Sequence, residues 1–528
     1  MFDNCISQGE VSLGIELGST RIKAVLINVE SKILAVGSHT WENSLIDGVW
    51  TYSLEDVEAG VQAAFADLQR NAEERYGVRV TNLKTVGVSA MMHGYLAFDA
   101  DDQLLVPFRT WRNTMTEAAA EELSELFGMN IPQRWSVAHY YQAVLNRESH
   151  VSRISFLTTL AGYVHWKLTG TRALGVGDAS GMFPIGVDGN YDQGMARLFD
   201  ERLAQRAGKA STPSVLSLLP PVLSAGQAAG ELSPAGARYL DPSGELLPGA
   251  LACPPEGDAG TGMVATNAVT AHTGNVSVGT SVFAMVVLDQ PLTKSHLEID
   301  VVATPDGKPV AMVHCNNGTT ELDEWVGVFR EFASMVGVDV ATSDLYDMLY
   351  NRALSGATDA DGVVAFNYLS GEPITGTSAG MPMYVREPDS RLTLSHFIRA
   401  QLMGVFATLR LGMDILTVKE GVVVTELVGH GGVFKTPKVA QSILAAALDI
   451  PITVREGAGE GGAWGIAVLA NYLRDEFRDL TLSDYLEGVF ADNDESVMRP
   501  VSADVEGFDG FLANYRRALP AQRMLTQR

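Results

Sequence analysis

Four short loops in the sequence combine glycine with hydroxyl or acidic side chains, and each follows an apolar segment. They are Gly18-Ser19-Thr20, Gly279-Thr280-Ser281, the glycine loop 429–432 and the segment 254–263, "PPEGDAGTGM". Small residues let the backbone approach a phosphate, to which hydroxyl and main-chain N–H groups donate hydrogen bonds. Each loop alone is equally typical of a solvated turn. Two matching turns with a third glycine loop favour a bound nucleotide, whose phosphates Arg21 beside the first turn can reach.

Two common nucleotide-binding patterns do not occur. The sequence has no "GxxxxGK[ST]", which argues against a Walker-type phosphate loop. "GxGxxG" does not follow the first apolar strand, which weakens the case for a dinucleotide-binding unit.

Asp258 is the acidic residue of the segment "PEGDAGTGM". An aspartate in such a position commonly caps a helix or forms a local turn. It can also act as a general base, because phosphoryl transfer to an alcohol requires a carboxylate within hydrogen-bond reach of the attacking hydroxyl. A helix that begins there would also favour the negative charge of the phosphoryl group.

Two further segments place polar and aromatic side chains together after apolar runs. "VSAMMHGYLAFD" carries Met92, His93 and Gly94, and "PFRTWRNTMT" carries Trp111 and Asn113. An aromatic face packs against the C–H edges of a polyol while amide and guanidinium groups bind its hydroxyls. A buried structural histidine and an ordinary surface loop are the alternatives. The pattern is compatible with a sugar site.

The elements that must position these residues alternate between strands and helices. Apolar strands such as "LKTVGVSAMM" and "GVVVTELVGHGG" are followed by amphipathic helices such as "LEDVEAGVQAAFADLQRNAEERYG". This alternation predicts an α/β fold with helices covering the sheets. "LGIELGSTRIKAVLI" and "TGNVSVGTSVFAMVVL" have the same form, which indicates an internal duplication with two domains, 1–265 and 266–528. The Pro- and Gly-rich region 214–250 is expected to run over the surface.

Composition limits the classes of partner. The 528 residues are 46% hydrophobic and 19% charged, and the net charge of -25 argues against nucleic acid or an anionic membrane as the main partner. Three cysteines without CxxC spacing indicate reduced thiols, and we expect a cytoplasmic protein. The N-terminal residues lack the features of a signal peptide, and no run of 18 apolar residues predicts a transmembrane helix.

These motifs, in this order from about Leu13 to about Leu473, resemble the FGGY family of carbohydrate kinases, and the sugar segments resemble those of xylulose kinases. The matching segments are "GIELGSTRIKAVLI", "MMHGYLAFD", "TWRN", "GDAGTGM", "VSVGTS", "NYLSGEPITGTSAGM" with "SHFIRAQLMGVFATLRLGMDIL", "ELVGHGGVFKTPKVAQSILAAALDIPI" and "GEGGAWGIAVLA". The resemblance implies two actin-like, ribonuclease H-like domains with a central ATP and sugar cleft. It also implies transfer of the ATP γ-phosphate, with Mg²⁺, to a hydroxyl of a small sugar, for which a ketopentose such as xylulose is the first expectation.

The resemblance also implies a role for each matching residue. Asp258 is the catalytic base and contacts the sugar together with Met92, His93, Trp111 and Asn113; Gly18, Ser19, Thr20, Arg21, Gly279, Thr280 and Ser281 bind phosphate; Gly431, Gly432, Lys435 and Thr436 face the adenosine; Glu16 and Asp258 approach the metal. Three residues differ from the family pattern. Glu16 replaces the usual aspartate near the metal, Asn113 replaces an acid that xylulose kinases often have, and Val433 replaces a glycine of the adenosine loop.

Several alternatives remain open from the sequence. The acceptor can be ribulose, another ketose, glycerol or another polyol. A non-catalytic nucleotide-binding regulator on the same scaffold would normally carry a basic helix-turn-helix, for which the acidic N-terminus has no room. A chaperone-like or filament-forming ATPase would not need Met92, His93 and Trp111. We expect a small-molecule sugar as partner, no nucleic acid and no membrane, and a homodimer is compatible with the sequence.

Overall fold

The computed structural model describes residues 2–207, 213–455, 461–491 and 495–526. The chain forms two compact units. Unit 1 comprises Met1–Val269, Val301–Val310 and Ala458–Asp492, and unit 2 comprises Thr270–Asp300, Ala311–Gly457 and Asn493–Arg528. Both units are therefore discontinuous in sequence, whereas the predicted domains 1–265 and 266–528 are contiguous.

Unit 1 is built on a mixed sheet of six described strands. In spatial order they are Leu251–Ala252, Thr85–Ala90, Ser12–Leu17, Arg21–Ile27 and Ile33–Thr40, and Glu256–Gly257 also pairs with Thr85–Ala90. Ser12–Leu17 and Arg21–Ile27 form the predicted antiparallel hairpin. Thr85–Ala90 is buried at every residue and runs parallel to Ser12–Leu17 and to Glu256–Gly257. Three parallel strands thus end side by side, at Leu17, Ala90 and Gly257.

Helices and short strand pairs surround this sheet. The helices are Phe2–Ser7, Leu54–Tyr76, Glu117–Phe127, Ser136–Leu145, Leu160–Thr169, Val176–Ala179, Gln193–Ala207, Val215–Leu218, Pro234–Leu240, Asp258–Ala265, Gly461–Asn471 and Leu482–Phe490. The short pairs are Ser44–Ile46 with Val49–Thr51, Leu96–Phe98 with Phe156–Thr158, and Leu174–Gly175 with Val222–Leu223.

The predicted helices of unit 1 are largely present, with one correction. Leu54–Tyr76 begins where the Ser53 hydroxyl accepts from the Asp56 N–H and ends at Gly77 in a left-handed conformation. The apolar spacing of "SRISFLTTLAGYVHWKLTG" predicts a helix that ends at Gly170, but Phe156–Thr158 within it is a strand. The helix Leu160–Thr169 follows, and Gly170 ends it in a left-handed conformation. Of "GEGGAWGIAVLA", residues 459 and 460 lie outside the described residues.

Unit 2 contains the second main sheet, whose outermost hairpin extends into residues assigned to unit 1. In spatial order its described strands are Ile299–Ala303, Pro309–Cys315, Val282–Val287, Thr273–Val278, Glu426–His430, Ile452–Arg455 and Glu495–Met498. Thr273–Val278 pairs antiparallel with Val282–Val287, as predicted for the second hairpin, and parallel with Glu426–His430. A separate pair joins Val363–Phe366 and Met383–Arg386.

The main helices of unit 2 are Thr320–Met335, Thr342–Ala353, Leu394–Asp414, Val439–Leu448 and Ser502–Thr526. Leu394–Asp414 continues through the π-helical turn Ile415–Lys419. This continuous segment is long and apolar enough to cross a membrane, but 72% of its apolar window is buried inside the protein, as is usual for a core helix. The segment "TPKVAQSILAAALD" predicts a next helix with Pro437 in its first turn. That helix begins at Val439, because Lys438 has a left-handed backbone (φ +70°).

Candidate active site

The first phosphate loop, Gly18–Arg21, has its main-chain carbonyls bound from the protein side. The N–H of Gly18 donates to the carbonyl of Arg21 (2.9 Å). The carbonyls of the first three residues accept, in order, from the Trp41 indole (2.8 Å), the Tyr52 hydroxyl (2.6 Å) and the Trp41 main-chain N–H (3.1 Å). Among the described residues, no acceptor binds the N–H groups of Ser19 and Thr20, and both residues are exposed. A turn whose free groups are all donors suits an anion.

The second phosphate loop, Gly279–Ser281, is built in the same way within unit 2. Its first N–H donates to its last carbonyl (2.9 Å). The carbonyls of Gly279 and Thr280 accept from the N–H groups of Thr319 (2.8 Å) and Gly318 (2.7 Å). A Cβ added to Gly318 would lie 2.0 Å from the Gly279 carbonyl oxygen, so only glycine permits this approach. The loop is one residue shorter than the first, since it links paired Val278 and Val282.

Asp258 begins the helix Asp258–Ala265 at the end of one of the three parallel strands. Its Oδ1 accepts a hydrogen bond from the N–H of Met92 (3.1 Å), which follows the neighbouring strand. The side chain is open to solvent, yet desolvation by its surroundings raises the pKa of Asp258, while the amide of Met92 and the charge of Arg134 oppose the rise. The structure thus joins the predicted base to the predicted sugar segment.

The loop Met92–Gly94, here called the MHG loop, has an unusual backbone. His93 and Gly94 both have positive φ, +70° and +100°. A left-handed histidine is uncommon and often marks a functional site. The His93 ring stacks on Trp135 at 6.3 Å, and its Nδ1 lies 3.4 Å from the Gly181 carbonyl. Both Met92 and His93 are 6% exposed, so little of either side chain reaches the surface.

Glycines define the space around the Met92 side chain. A Cβ on Gly257 would lie 2.4 Å from Met92 Cγ, and one on Gly181 would lie 2.9 Å from Met92 Cε and 2.6 Å from His93 Nδ1. Neither position accepts a larger residue without movement of the MHG loop. Gly181 was not among the residues predicted from the sequence, although it lies in a "GDASGM" segment similar to "GDAGTGM".

Trp111 and Asn113 have different surroundings. Trp111 is 42% exposed and free to face a ligand. Asn113 is 3% exposed, and its Nδ2 donates to the carbonyls of Trp50 (2.8 Å) and Thr110 (3.0 Å) while its Oδ1 accepts from the Trp50 N–H (2.9 Å). Both amide donors are committed to the main chain. The structure therefore shows that Asn113 holds the loop that carries Trp111. The predicted contact between Asn113 and the sugar stays a prediction.

Glu16 lies beside the first turn of the Asp258 helix. A Cβ on Gly462 would be 2.2 Å from Glu16 Oε1 and 2.8 Å from the hydroxyl of Thr261, one turn after Asp258. No group of three or more His, Cys, Asp or Glu side chains arranged for a metal occurs in the part of the chain that the structure describes. Mg²⁺ usually keeps several waters and binds one or two carboxylates plus phosphates. Glu16 and Asp258 fit that donor set.

The predicted adenosine loop lies next to the second phosphate loop within unit 2. Gly431 (φ +118°) follows the strand parallel to Thr273–Val278, and its added Cβ would lie 2.1 Å from the Val278 carbonyl oxygen. Gly432 and Lys435 are exposed. Thr436 is 4% exposed, and its hydroxyl donates to Asp347 Oδ1 at 2.5 Å. The hydroxyl is therefore occupied within the protein, and the predicted place of Thr436 beside the adenosine stays a prediction.

Val433 replaces a glycine of the family pattern without occupying the exposed side of this loop. Its side chain is 3% exposed and packs in the hydrophobic core of unit 2. The substitution therefore adds core packing rather than bulk at the loop surface.

Two buried acids behind Asp258 were missed by the sequence reasoning. Glu256 is 1% exposed and accepts from the N–H groups of Gly177 (3.3 Å) and Asp178 (2.9 Å). Asp178 accepts from the Thr159 hydroxyl (2.5 Å), and burial, with a smaller contribution from the Asp258 charge, raises the pKa of Asp178 to about 7. The repeated "GDA" in the segments of Asp178 and Asp258 is the one sequence signal that pointed to them.

Comparison with protein families identifies this arrangement. The model of the N-terminal domain of the FGGY family of carbohydrate kinases matches residues 11–241, and that of the C-terminal domain matches residues 274–474. The chain belongs to the FGGY family of carbohydrate kinases. The family uses ATP as the phosphate donor, so the chain is an ATP-dependent phosphotransferase.

The names of the similar FGGY kinases give different substrates. The gluconokinase of Bacillus subtilis (strain 168) is 24% identical over 486 residues, which is 87% of each chain. A xylulose kinase structure from Rhodospirillum rubrum has a TM-score of 0.79 at 19% identity and covers 98% of this chain and 100% of its own. A gluconate kinase structure from Lactobacillus acidophilus has a TM-score of 0.78 at 16% identity, with 98% and 99% coverage. These similarities establish the two-domain kinase fold but do not fix the sugar.

Proposed function

We propose that this FGGY kinase transfers the γ-phosphate of ATP to a terminal hydroxyl of a small open-chain sugar, with xylulose as the first candidate and Asp258 as the general base. The observation that carries the proposal is the 3.1 Å hydrogen bond from the Met92 N–H to Asp258 Oδ1. It fixes the carboxylate beside the MHG loop and leaves its remaining lone pairs available to a substrate hydroxyl.

The chemistry follows from this placement. Asp258 accepts the proton of the hydroxyl while that oxygen forms a bond to the γ-phosphorus, and the bond to the bridging oxygen breaks to release ADP. The N–H groups of Ser19 and Thr20 donate to phosphate oxygens, and Trp41 and Tyr52 keep the opposing carbonyls turned away. Desolvation by the surrounding protein raises the pKa of Asp258, which makes it a better proton acceptor than a fully solvated aspartate.

Mg²⁺ would be held by Glu16 and Asp258, and when bound it would neutralise charge on the phosphates. Glu16 lies against Gly462, where an added Cβ would lie 2.2 Å from its Oε1, so the glycine leaves room for the carboxylate in this position.

Gluconate is the second candidate substrate. The relative that matches 87% of the chain bears the name gluconokinase. The positive charge of Arg134 also acts on Asp258, and the main-chain carbonyl of Arg134 accepts from the N–H of Gly94 in the MHG loop (3.2 Å). An arginine at this position could bind a substrate carboxylate. Ribulose, other ketoses, glycerol and other polyols complete the set of acceptors.

A coupled ADP-release assay tests the proposal. Xylulose, ribulose, gluconate and glycerol are compared at matched concentrations with ATP and Mg²⁺, and a no-sugar reaction is the control. We expect xylulose to give the highest kcat/KM. A higher value for gluconate would favour the second candidate. No stimulation by any polyol, ketose or sugar acid would contradict a kinase of this type and favour a regulator or chaperone-like ATPase.

We propose a cytoplasmic enzyme that needs neither nucleic acid nor membrane.

A further inference from the structure

A buried carboxylate lies behind the second phosphate loop, and the proposed mechanism does not use it. Glu372 is 0% exposed. Its Oε2 accepts from the side-chain Nδ2 (3.0 Å) and the main-chain N–H (3.3 Å) of Asn317. Burial raises the pKa of Glu372 to about 7, and the amide donors oppose the rise. Burying a carboxylate costs free energy, and the hydrogen bonds from Asn317 offset part of that cost.

Asn317 uses both ends of its amide to fix two segments. Its Oδ1 accepts from the N–H groups of Leu369 (2.8 Å) and Ser370 (2.9 Å). Its Nδ2 donates to Glu372 Oε2 (3.0 Å) and to the carbonyl of Ser370 (3.3 Å). The side chain is 4% exposed, so water does not compete for these bonds. Glu372 thus helps to hold the Asn317 amide in the orientation that turns Oδ1 toward the two N–H groups of the 369–370 turn.

Asn317 is followed directly by the residues that bind the second phosphate loop. The Nδ2 of Asn367 donates to the carbonyls of Asn317 (3.1 Å) and Gly318 (2.7 Å). The next amides, of Gly318 and Thr319, donate to the two loop carbonyls at 2.7 Å and 2.8 Å. Hydrogen bonds at Asn317, the main chain 317–319 and the hydrogen bonds of Gly318 and Thr319 therefore connect Glu372 to the loop carbonyls.

We propose that Glu372 and Asn317 are positioning residues for the nucleotide phosphates: they hold residues 317–319 so that the carbonyls of Gly279–Ser281 stay turned away from the ligand. The inference rests on the proposed phosphate contact of the second loop and is independent of the identity of the sugar. Neither residue needs to touch the nucleotide. Loss of either lets the loop carbonyls rotate toward the phosphates, where they repel them.

The discriminating experiment compares AMP with ADP in the absence of sugar. Asn317→Asp removes the two Nδ2 donors and places a second carboxyl group against buried Glu372. We expect the variant to bind ADP at least about tenfold more weakly, while its affinity for AMP changes by less than about twofold. Calorimetric titration of the full chain measures both affinities. A purely structural role would weaken AMP and ADP alike.

Two further variants complete the test. Glu372→Gln keeps an acceptor for Asn317 and should weaken ADP binding by only about two- to fivefold. Glu372→Ala should weaken ADP binding as much as Asn317→Asp does. Glu420→Gln is the matched control, because Glu420 has a side chain 2% exposed and binds Thr293 and His296 elsewhere in unit 2. It should leave ADP affinity unchanged.

Unchanged ADP affinity in both Glu372→Gln and Asn317→Asp would overturn the inference, as would an equal loss in Glu420→Gln. If Asn317→Asp does not fold, the milder Glu372→Gln decides the question. Equal wild-type affinities for AMP and ADP would also overturn it, since the second loop would then not bind phosphate. Failure of every sugar in the ADP-release assay would leave this result intact, because no sugar is present.

Discussion

Asp258 combines three properties that a general base requires. It begins a helix, its carboxylate is held at one oxygen by the Met92 N–H, and its surroundings raise its pKa. The sequence predicted this residue from its neighbours "PEGDAGTGM" alone. It did not predict the bond to Met92, because residues 92 and 258 are brought together only by parallel pairing of the strands that precede them.

Replacement of Asp258 tests its role directly. Asp258→Asn keeps an oxygen for the Met92 N–H but removes the proton acceptor, so turnover should fall by about 10²-fold or more while ATP affinity stays near its wild-type value. Steady-state kinetics and nucleotide titration measure the two quantities. Asp99→Asn is the control, since Asp99 binds Gln103 and Arg153 within the protein. Near-normal turnover of Asp258→Asn would show that Asp258 is not the general base.

The sequence was least informative where a polar side chain has a distant protein partner. Asn113 and Thr436 were predicted to contact ligands from their place in the motifs that resemble the family. The structure adds that Asn113 binds Trp50, 63 residues away, and Thr436 binds Asp347, 89 residues away, contacts that no local pattern indicates. At Gly431, by contrast, the predicted glycine has a local structural reason, because its added Cβ would lie 2.1 Å from the Val278 carbonyl oxygen.

At the scale of elements, two helices position the end of unit 1 that carries the proposed base Asp258. The Asp258 helix packs against Gly461–Asn471 through glycine, since a Cβ on Gly465 would lie 2.2 Å from the Thr261 carbonyl oxygen. Small residues let two helix backbones approach this closely. The segment "GEGGAWGIAVLA" resembles a segment of the family, but periodicity could not show which helix it contacts.

Gly465→Ala should separate these two helices. Because the added methyl group meets main-chain atoms, no side-chain movement can relieve the contact, and we expect a loss of about 1–3 kcal/mol in the free energy of unfolding. Urea unfolding measures this. Gly488→Ala is the matched control, since Gly488 lies in the helix Leu482–Phe490 with nothing within 4 Å of its added Cβ. That variant should be more stable by roughly 0.5–1 kcal/mol, and equal behaviour of the two variants would contradict the packing argument.

At the scale of the whole molecule, buried titratable groups make stability depend on pH in opposing ways. Neither ring nitrogen of His139 has a hydrogen-bond partner among the described residues, and burial lowers the pKa of His139 to about 3. Burial raises the pKa of Asp178 and Glu372 to about 7. Acidification protonates His139 in the unfolded chain only, which favours unfolding. The two acids bind protons more readily when folded, so acidification favours the folded state.

His139→Phe isolates one of these contributions. The wild-type histidine costs stability as the pH falls below its unfolded pKa of roughly 6.5, by about 2 kcal/mol between pH 7 and pH 5. Phenylalanine does not titrate and retains the stacking on Tyr95 (6.0 Å). The drop in stability between pH 7 and pH 5 should therefore be smaller in the variant by that amount, as measured by urea unfolding at both pH values. An identical drop in both proteins would contradict a neutral buried His139.

The alternation of strands and helices predicted the α/β class and the duplicated hairpins correctly, but it could not predict that each unit is discontinuous. Hydrophobic periodicity reports local structure, whereas the side-chain bond from Ser12 to Asn471 (3.1 Å) spans 459 residues. Only the folded molecule reveals that the last helices of the kinase match belong with the first strands.

This discontinuity bears on how the protein is made. Translation runs from the N-terminal to the C-terminal direction, and domains usually fold as they emerge. The strand Ser12–Leu17 is synthesised before all of unit 2, yet the helix Gly461–Asn471 that covers it follows most of unit 2. The segment Asn493–Arg528 of unit 2 comes later still, after the last segment of unit 1. The apolar face of the first hairpin therefore stays uncovered while most of unit 2 is made, and the two units complete their cores in close succession, unit 1 before unit 2.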